Sequence, residues 1–141
     1  MKKKIFQAYD IRGRYPDEIN EKAVAEIAVV LVQKWKSNKI VVGHDARLSS
    51  RQLYQAVLSG IMNNELGIKH LNRPRVIRNS KFVIQAIGQC TTPMFYFWCH
   101  KLKLPGIMVT ASHNPKDFNG LKVVGPSGEI ISGTEIKQWI I

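Results

Sequence analysis

The chain has 141 residues, of which 45% are hydrophobic and 22% are charged, as expected for one soluble globular domain. Lysine and arginine outnumber aspartate and glutamate by 21 to 10, so the formal net charge of +11 indicates an acidic partner. No apolar run approaches the roughly 18 residues of a membrane span, and the basic start, Met1 to Lys4, is not followed by the apolar segment of a signal peptide. We expect Cys90 and Cys99 to be buried free thiols in a reduced, cytoplasmic setting.

The first half of the chain alternates predicted strands and helices. Ile5 to Ile11 predicts a strand that runs into a loop presenting Arg12. Asn20 is a good cap for an amphipathic helix, and Lys39 to Gly43 predicts a second, β-branched strand. A second helix should follow, opened by a capping box of Ser49 and Gln52.

Residues 68–81 do not follow either periodicity. The segment contains Pro74 and no clean apolar face, which predicts an inserted, solvated basic loop. A specific patch for an acidic partner is the alternative. The segment's basic residues are Lys69, His70, Arg73, Arg75, Arg78 and Lys81.

The next elements are another strand and an apolar helix. Phe82 to Ile87 has the strand pattern, and Gly88 should end it. Thr92 is the expected helix cap, with Pro93 at the first helical position. This helix is apolar nearly all round, so we expect it to be deeply packed.

A strand and a polar loop follow. Ile107 to Thr110 predicts a buried strand, which places Ser112 at its carboxyl end. Asn114-Pro115 is typical of a turn, and Asn119-Gly120 is a second turn signal. The loop between the two strands should therefore be held at both ends.

The final elements should be a hairpin and a helix. Gly125 to Gly128 predicts a reverse turn, and Glu129 to Ile131 the returning strand. Ser132 and Glu135 form another capping box for a terminal amphipathic helix. The alternation of strands and helices along the chain favours a layered α/β domain.

The loop after the buried strand is the candidate functional site. A hydroxyl at Ser112, beside His113 and followed by Lys122, could handle phosphate. An ordinary surface loop is the alternative, because adjacent Ser and His side chains usually diverge and do not form a nucleophile and its base. Arg12 suits phosphate binding, since a guanidinium forks onto two oxygens and stays charged, but an exposed loop arginine is the simpler interpretation.

Four segments carry a family resemblance. They are Ala8 to Gly13 (AYDIRG), Val41 to Ser50 (VVGHDARLSS), Thr91 to Met94 (TTPM), and Thr110 to Pro115 (TASHNP) with Phe118 to Lys122 (FNGLK). In this order they resemble the first domain of the α-D-phosphohexomutases, the phosphomannomutase and phosphoglucomutase family. The string around Ser112 is similar to that family's phosphoserine loop. The resemblance covers nearly all of residues 1–141 except 68–81, and only the first of the family's four domains.

The resemblance implies a three-layer α/β/α domain with a mixed, mostly parallel central sheet. It also implies that Ser112 is carried as a phosphoserine and exchanges its phosphoryl group with a hexose phosphate through a hexose bisphosphate, which isomerises the sugar phosphate between positions 1 and 6. In that reaction Arg12 and Lys122 would offset negative charge, and His113 would hydrogen-bond near the transferring group or assist proton movement. Magnesium, the family's cofactor, would contact Ser112 only through its phosphate.

The family's aspartate cluster, sugar-recognition loop and distal phosphate-binding loop belong to later domains that this chain does not contain. The resemblance therefore implies a phosphohexomutase fragment that works with the remaining domains of a longer enzyme and is inactive alone. Two alternatives come from other classes of protein. One is a truncated relative that only binds partners. The other is a basic nucleic-acid-binding module, which is disfavoured because no helix-turn-helix, zinc-finger or RNA-recognition signature is present.

Overall fold

The computed structural model describes residues 1–62, 75–78 and 82–140. Four helices and seven strands, preceded by a short 3-10 turn at Lys3–Ile5, make up the described part of the chain. In chain order they are β1 (Ile11–Arg14), α1 (Glu21–Trp35), β2 (Lys39–His44), α2 (Ser50–Ile61), β3 (Arg75–Arg78), β4 (Val83–Gln89), α3 (Thr92–Leu102), β5 (Gly106–Val109), β6 (Phe118–Val124), β7 (Ile130–Ile131) and α4 (Gly133–Ile140). None of these helices is long and apolar enough to cross a membrane.

The strands form one mixed sheet in the order β1-β6-β5-β2-β4-β3, with β7 paired to β6. The central strand β2 is parallel to both of its neighbours, β4 and β5. The other pairings of described strands are antiparallel. The predicted α/β/α fold with a mixed sheet is confirmed. A mostly parallel sheet was expected, but among the described strands parallel pairing occurs only between β2 and its two neighbours.

Two apolar clusters, one on each face of the sheet, produce the three layers. Val42 and Ile107 point to the face covered by α1, α2 and α4. Their chain neighbours Val41 and Met108 point to the opposite face, which α3 covers. Successive strand residues alternate between faces, so these strands must be apolar at nearly every position.

Helix α3 is less buried than its composition suggested. Phe95 and Cys99 are its buried residues, whereas Met94 and Phe97 are about half exposed, at 50% and 54%. The expectation of deep packing is wrong, because α3 is the one described helix on its face and turns only one side toward β2 and β5. The cap is Thr91, whose Oγ1 accepts from the Met94 N–H at 3.3 Å, and not Thr92.

The other caps differ in how far they follow the sequence pattern. The Asn20 side chain caps α1 by accepting from the Ala23 N–H at 3.0 Å, as predicted. The Ser132 hydroxyl accepts from the Glu135 N–H at 3.1 Å at the start of α4. Ser49 precedes α2 without a side-chain capping bond, so the predicted capping box there is wrong.

The basic segment 68–81 contains a strand where a loop was expected. Residues 75–78 form β3, an edge strand antiparallel to β4, with Ile77 opposite Ile84. Ile77 is 5% exposed, whereas Val76 and Arg78 are exposed. A single buried residue between two exposed neighbours is too short an alternation to predict a strand from the sequence. Residues 68–74 and 79–81 lie outside the described part of the chain.

Two strand boundaries differ from the sequence prediction, whereas the state of the two thiols agrees with it. The strand predicted at Ile5 to Ile11 begins only at Ile11, and β4 continues through Gly88 to Gln89. Cys90 and Cys99 are free, as expected. Burial raises the pKa of the half-buried Cys90 to about 11 and that of the buried Cys99 to about 12.

Candidate functional site

The loop between β5 and β6 presents Ser112 to solvent. Strand β5 ends at Val109, and Ser112 is exposed with a left-handed backbone (φ 55°), which is uncommon for a residue with a side chain. Its N–H donates to Thr110 Oγ1 at 3.0 Å. Asn114 closes the turn, because its N–H and Nδ2 both donate to the Ala111 carbonyl, at 3.1 and 2.7 Å.

The guanidinium of Arg47 binds the backbone of this loop. Its Nη2 donates to the carbonyl oxygens of Ser112 and Asn114, at 2.7 and 2.6 Å. Its Nη1 donates to those of Pro115 and Phe118, at 2.6 and 3.1 Å. One guanidinium therefore fixes four peptide groups of a loop that has little regular structure of its own.

Asp45 in turn holds Arg47. Its Oδ2 lies 3.5 Å from Arg47 Nε and accepts from Thr110 Oγ1 at 2.8 Å. Its Oδ1 accepts from the Arg47 N–H at 3.1 Å and from the Ser50 hydroxyl. Asp45 thus joins the end of β2, the start of α2 and the end of β5 at the base of the loop.

A second cluster lies beside the loop and is centred on Asp10, which is 3% exposed. Arg12 donates to both of its oxygens, from Nε to Oδ1 at 3.0 Å and from Nη2 to Oδ2 at 2.7 Å. Lys122 Nζ is 3.8 Å from Asp10 Oδ2. Arg12 Nη1 also reaches Asn114 Oδ1 at 3.4 Å, which connects this cluster to the Ser112 loop.

The electrostatics keep the Asp10 cluster positive. Donation to Asp10 raises the pKa of the Arg12 guanidinium, while burial opposes that rise. Two cations, Arg12 and Lys122, share one carboxylate, so an excess positive charge remains next to the loop. Such an arrangement attracts an anion and binds phosphate oxygens in particular.

The pairing of β1 with β6 brings these cations together. Arg12 lies opposite Gly120 in the antiparallel register, and Lys122 is two residues further along β6 on the same face. The predicted turn at Asn119-Gly120 is wrong, because both residues lie inside β6. A Cβ atom on Gly120 would stand 1.9 Å from the Ile11 carbonyl oxygen, so glycine serves the close approach of β1 and not a turn.

Asn119 also has a structural role in place of a turn. It is fully buried, and its Nδ2 donates to the hydroxyls of Ser49 and Ser50 at 2.8 and 2.9 Å. Its Oδ1 accepts from the Gly120 N–H at 2.9 Å. Asn119 therefore ties β6 to the start of α2, the same region that Asp45 holds.

The residues proposed from the sequence are only partly brought together. Arg12 and Lys122 meet at Asp10, and Arg12 contacts the Ser112 loop. His113 is exposed, and none of the described residues forms a hydrogen bond or ion pair with its ring. The Ser112 hydroxyl likewise has no such partner among them, so the Ser112-His113 neighbours do not form a bonded nucleophile and base.

Sequence reasoning missed the residues that arrange the site, namely Asp10, Asp45 and Arg47. Each lies within a quoted segment, Ala8 to Gly13 or Val41 to Ser50. The sequence did place these charged residues near the carboxyl ends of predicted strands, which is typical of functional sites. It did not indicate which residues they contact.

The described acidic residues do not form a metal site by themselves. Within residues 1–62, 75–78 and 82–140, no three His, Cys, Asp or Glu side chains form a group able to hold a metal ion. Asp10 and Asp45 are already occupied by arginine, lysine and hydroxyl partners. A hard divalent cation needs several oxygen ligands, so this donor set does not fit magnesium without other groups.

Comparison with known proteins agrees with the fold and the quoted segments. The family model for the phosphoglucomutase/phosphomannomutase α/β/α domain I matches residues 3–140. Over 128 residues the chain is 41% identical to the phosphohexose mutases of Xanthomonas campestris pv. campestris (strain B100), covering 90% of this chain and 25% of the relative. Over 129 residues it is 38% identical to a phosphomannomutase of Klebsiella pneumoniae, covering 91% of this chain and 72% of that protein.

A solved structure gives the same result. The crystal structure of a phosphoglucomutase/phosphomannomutase family protein from Burkholderia thailandensis superposes with a TM-score of 0.75 at 26% identity. The match covers 99% of this chain and 29% of that protein. The chain thus spans about a quarter of the length of the Xanthomonas relative. It belongs to the phosphoglucomutase/phosphomannomutase family and corresponds to its α/β/α domain I.

Proposed function

We propose that this chain is the catalytic-serine domain of a phosphomannomutase/phosphoglucomutase-type enzyme of cytoplasmic carbohydrate metabolism. Ser112 would carry a phosphoryl group and exchange it between positions 1 and 6 of a hexose phosphate. Membership of the family and the match to its domain I support this proposal. Turnover would require the remaining domains of a longer enzyme.

The observation that carries the proposal is the position of Ser112. Its exposed side chain stands on a left-handed residue of a loop fixed by Arg47, next to a cluster with excess positive charge. Phosphorylation adds a charge of roughly −1.5 to −2 at neutral pH. Arg12 and Lys122 are the cations available to stabilise that charge.

The proposed reaction has two phosphoryl transfers. In the first, a hydroxyl oxygen of the hexose phosphate attacks the phosphorus of phosphoserine, and the bond from phosphorus to Ser112 Oγ breaks. The hydroxyl loses its proton and Ser112 Oγ gains one, which leaves a hexose bisphosphate and a neutral serine. In the second transfer Ser112 Oγ attacks the phosphorus of the other phosphate of that bisphosphate, and the bond from this phosphorus to the sugar oxygen breaks. Ser112 Oγ loses its proton and the sugar oxygen gains one, which restores the phosphoserine and releases the isomerised sugar phosphate.

The chain's own residues would serve mainly by position and charge. Arg12 and Lys122 would stabilise charge on the phosphoryl oxygens, and Asp10 would keep both side chains in place. His113 is free to hydrogen-bond near the transferring group or to move a proton, because it is exposed beside Ser112. Magnesium would neutralise phosphate charge only with ligands from outside the described residues, and it would touch Ser112 only through its phosphate.

The test is phosphate transfer from a hexose bisphosphate to the chain. The purified protein is mixed with a full-length enzyme of the family, magnesium and glucose 1,6-bisphosphate, and the peptides of this chain are analysed by mass spectrometry. We expect phosphate on Ser112, none in Ser112→Ala, and unchanged labelling in Ser127→Ala, which removes an exposed serine of the β6–β7 turn. Phosphate found only at other residues, or equal labelling of Ser112→Ala, would contradict the proposal.

A further inference from the structure

We infer that Arg47 is a positioning residue that turns backbone N–H groups of the Ser112 loop toward the phosphoryl group. The inference rests on the proposed function, since these N–H groups would bind the phosphate carried by Ser112. It concerns a residue that does not itself bind phosphate.

The contacts of Arg47 exclude it from direct phosphate binding. An arginine side chain has five N–H donors. Each Nη atom of Arg47 donates to two loop carbonyls, and Nε faces Asp45. The four Nη donors are thus used by acceptors inside the protein and Nε lies 3.5 Å from Asp45 Oδ2, so none faces a substrate.

The carbonyl contacts of Arg47 also fix the direction of the N–H groups that follow them. In a planar trans peptide the C=O and the N–H of the next residue point in opposite directions. Arg47 draws the Ser112 and Pro115 carbonyls inward, so the N–H groups of His113 and Lys116 point outward. Neither N–H donates to any residue within the described part of the chain.

These two N–H groups are suited to an anion on Ser112. The His113 N–H directly follows the residue that bears the phosphate, and outward loop N–H groups bind phosphate oxygens in many proteins. Backbone donors fixed in advance do not have to reorganise as charge develops. Arg47 would therefore act on the phosphoryl group through the loop and not by contact.

Lysine cannot replace arginine in this role. Its ammonium is a compact point charge with three donors, whereas the four carbonyls are held by the two ends of a planar fork. If Arg47 only supplied positive charge, Arg47→Lys would preserve the behaviour of the site. If it positions the loop, Arg47→Lys must fail almost as fully as Arg47→Ala.

The experiment places phosphoserine at position 112 during translation, so that it does not depend on transfer from a sugar. The ¹⁵N-labelled full chain is titrated from pH 4.5 to 8, while the phosphate is followed by ³¹P NMR and the amides by ¹H–¹⁵N spectra. Phosphoserine normally ionises a second time near pH 6. The variants are Arg47→Ala, Arg47→Lys, Arg12→Ala and, as a control, Arg51→Ala, which removes an exposed arginine from α2.

We expect the His113 and Lys116 amide protons of the wild-type chain to move downfield as the phosphate becomes a dianion. Arg47→Ala and Arg47→Lys should both lose this movement, and their ³¹P midpoints should rise. Arg12→Ala should raise the midpoint but keep the amide movement, and Arg51→Ala should match the wild type. Resonances from β2 and α1 show whether each variant is folded.

Three spectroscopic results would overturn the inference. They are an absence of amide movement in the wild type, its persistence in Arg47→Ala, and its restoration by Arg47→Lys. Unfolding of both Arg47 variants would also overturn it, because the contacts would then stabilise the whole domain and not specifically the loop. Failure of Ser112 to become phosphorylated in the mixture with the full-length enzyme would refute the proposed function but would leave these outcomes readable.

Discussion

Replacing Gly120 by alanine tests whether the close approach of β1 and β6 builds the site. The added Cβ would stand 1.9 Å from the Ile11 carbonyl oxygen and 3.0 Å from Arg12 Cα. Real Cβ atoms essentially never come within 3.0 Å of such backbone atoms, so the strands must separate by about 1 Å at this point. Because Arg12 lies opposite Gly120, its contacts with Asp10 and Asn114 must change as well.

The expected loss of stability follows from these contacts. Overpacking a tight site costs about 1–3 kcal/mol, and each weakened backbone hydrogen bond about 1 kcal/mol more, so we expect a loss of about 3 kcal/mol. With an unfolding entropy of roughly 2.1 cal/mol/K per residue, 141 residues give about 0.3 kcal/mol/K. The melting temperature should then fall by about 10 °C.

The measurement is urea and thermal unfolding of Gly120→Ala, with Gly128→Ala as the matched control. Gly128 has a left-handed φ of 83° and nothing within 4 Å of an added Cβ. Its replacement should cost only the conformational term of about 1–2 kcal/mol. If Gly120→Ala is no more destabilising than Gly128→Ala, the close approach does not constrain the strands and the reasoning fails.

Three further predictions concern buried polar groups and thiols. Asn119→Ala should destabilise the fold by about 2–3 kcal/mol in urea, because it removes the three hydrogen bonds of a buried side chain. The exposed Gln138→Ala should change stability by less than about 0.5 kcal/mol. Burial lowers the pKa of His44, so on acidification the unfolded chain binds a proton before the folded chain does. The free energy of unfolding should therefore be full above about pH 6.5 and fall as the pH drops through the pKa of folded His44. It should fall less in His44→Gln. Burial raises the pKa of Cys90 to about 11 and that of Cys99 to about 12, so iodoacetamide at pH 8 should alkylate both thiols slowly in the folded state. Mass spectrometry should show that Cys90 reacts before Cys99.

Each of these has a contrary result. An Asn119→Ala variant as stable as Gln138→Ala would mean that its hydrogen bonds contribute nothing net. A urea midpoint that stays constant between pH 7.5 and pH 5, or that changes equally in His44→Gln, would remove His44 as the cause of pH dependence. Rapid alkylation of Cys99 in the folded protein would contradict its burial.

Features that depend on neighbouring residues in the chain were predictable from the sequence. The cap at Asn20, the β6–β7 hairpin and the strand leading to Ser112 each rest on local patterns, and the structure contains all three. The same patterns failed where long-range contacts decided the outcome. Asn119-Gly120 has the composition of a turn, but the approach of β1 and the hydroxyls of Ser49 and Ser50 at the start of α2 place it inside a strand.

The arrangement of the site was even less accessible from the sequence. Arg47 contacts carbonyls 65 to 71 residues further along the chain, and Asp10 joins two strands that are distant in sequence. A backbone carbonyl has no side-chain signature, so nothing in the loop's composition indicates that an arginine holds it. Segment resemblance identified the loop, whereas only the folded structure identifies what fixes it.

The last prediction is that the 141-residue chain does not isomerise hexose phosphates by itself. The described residues supply the proposed phosphoryl acceptor, Ser112, and cations at Arg12 and Lys122, but no cluster of acidic side chains for a metal ion. Removing one stabilising donor commonly costs about 10²- to 10³-fold in rate, and a metal site contributes several kcal/mol of charge stabilisation. Conversion of mannose 1-phosphate or glucose 1-phosphate to the 6-phosphate, with magnesium and a hexose bisphosphate present, should therefore stay at background. Turnover above background that Ser112→Ala abolishes and Ser127→Ala retains would refute this reasoning. It would show that the chain stabilises the phosphoryl charge without a metal site from other domains.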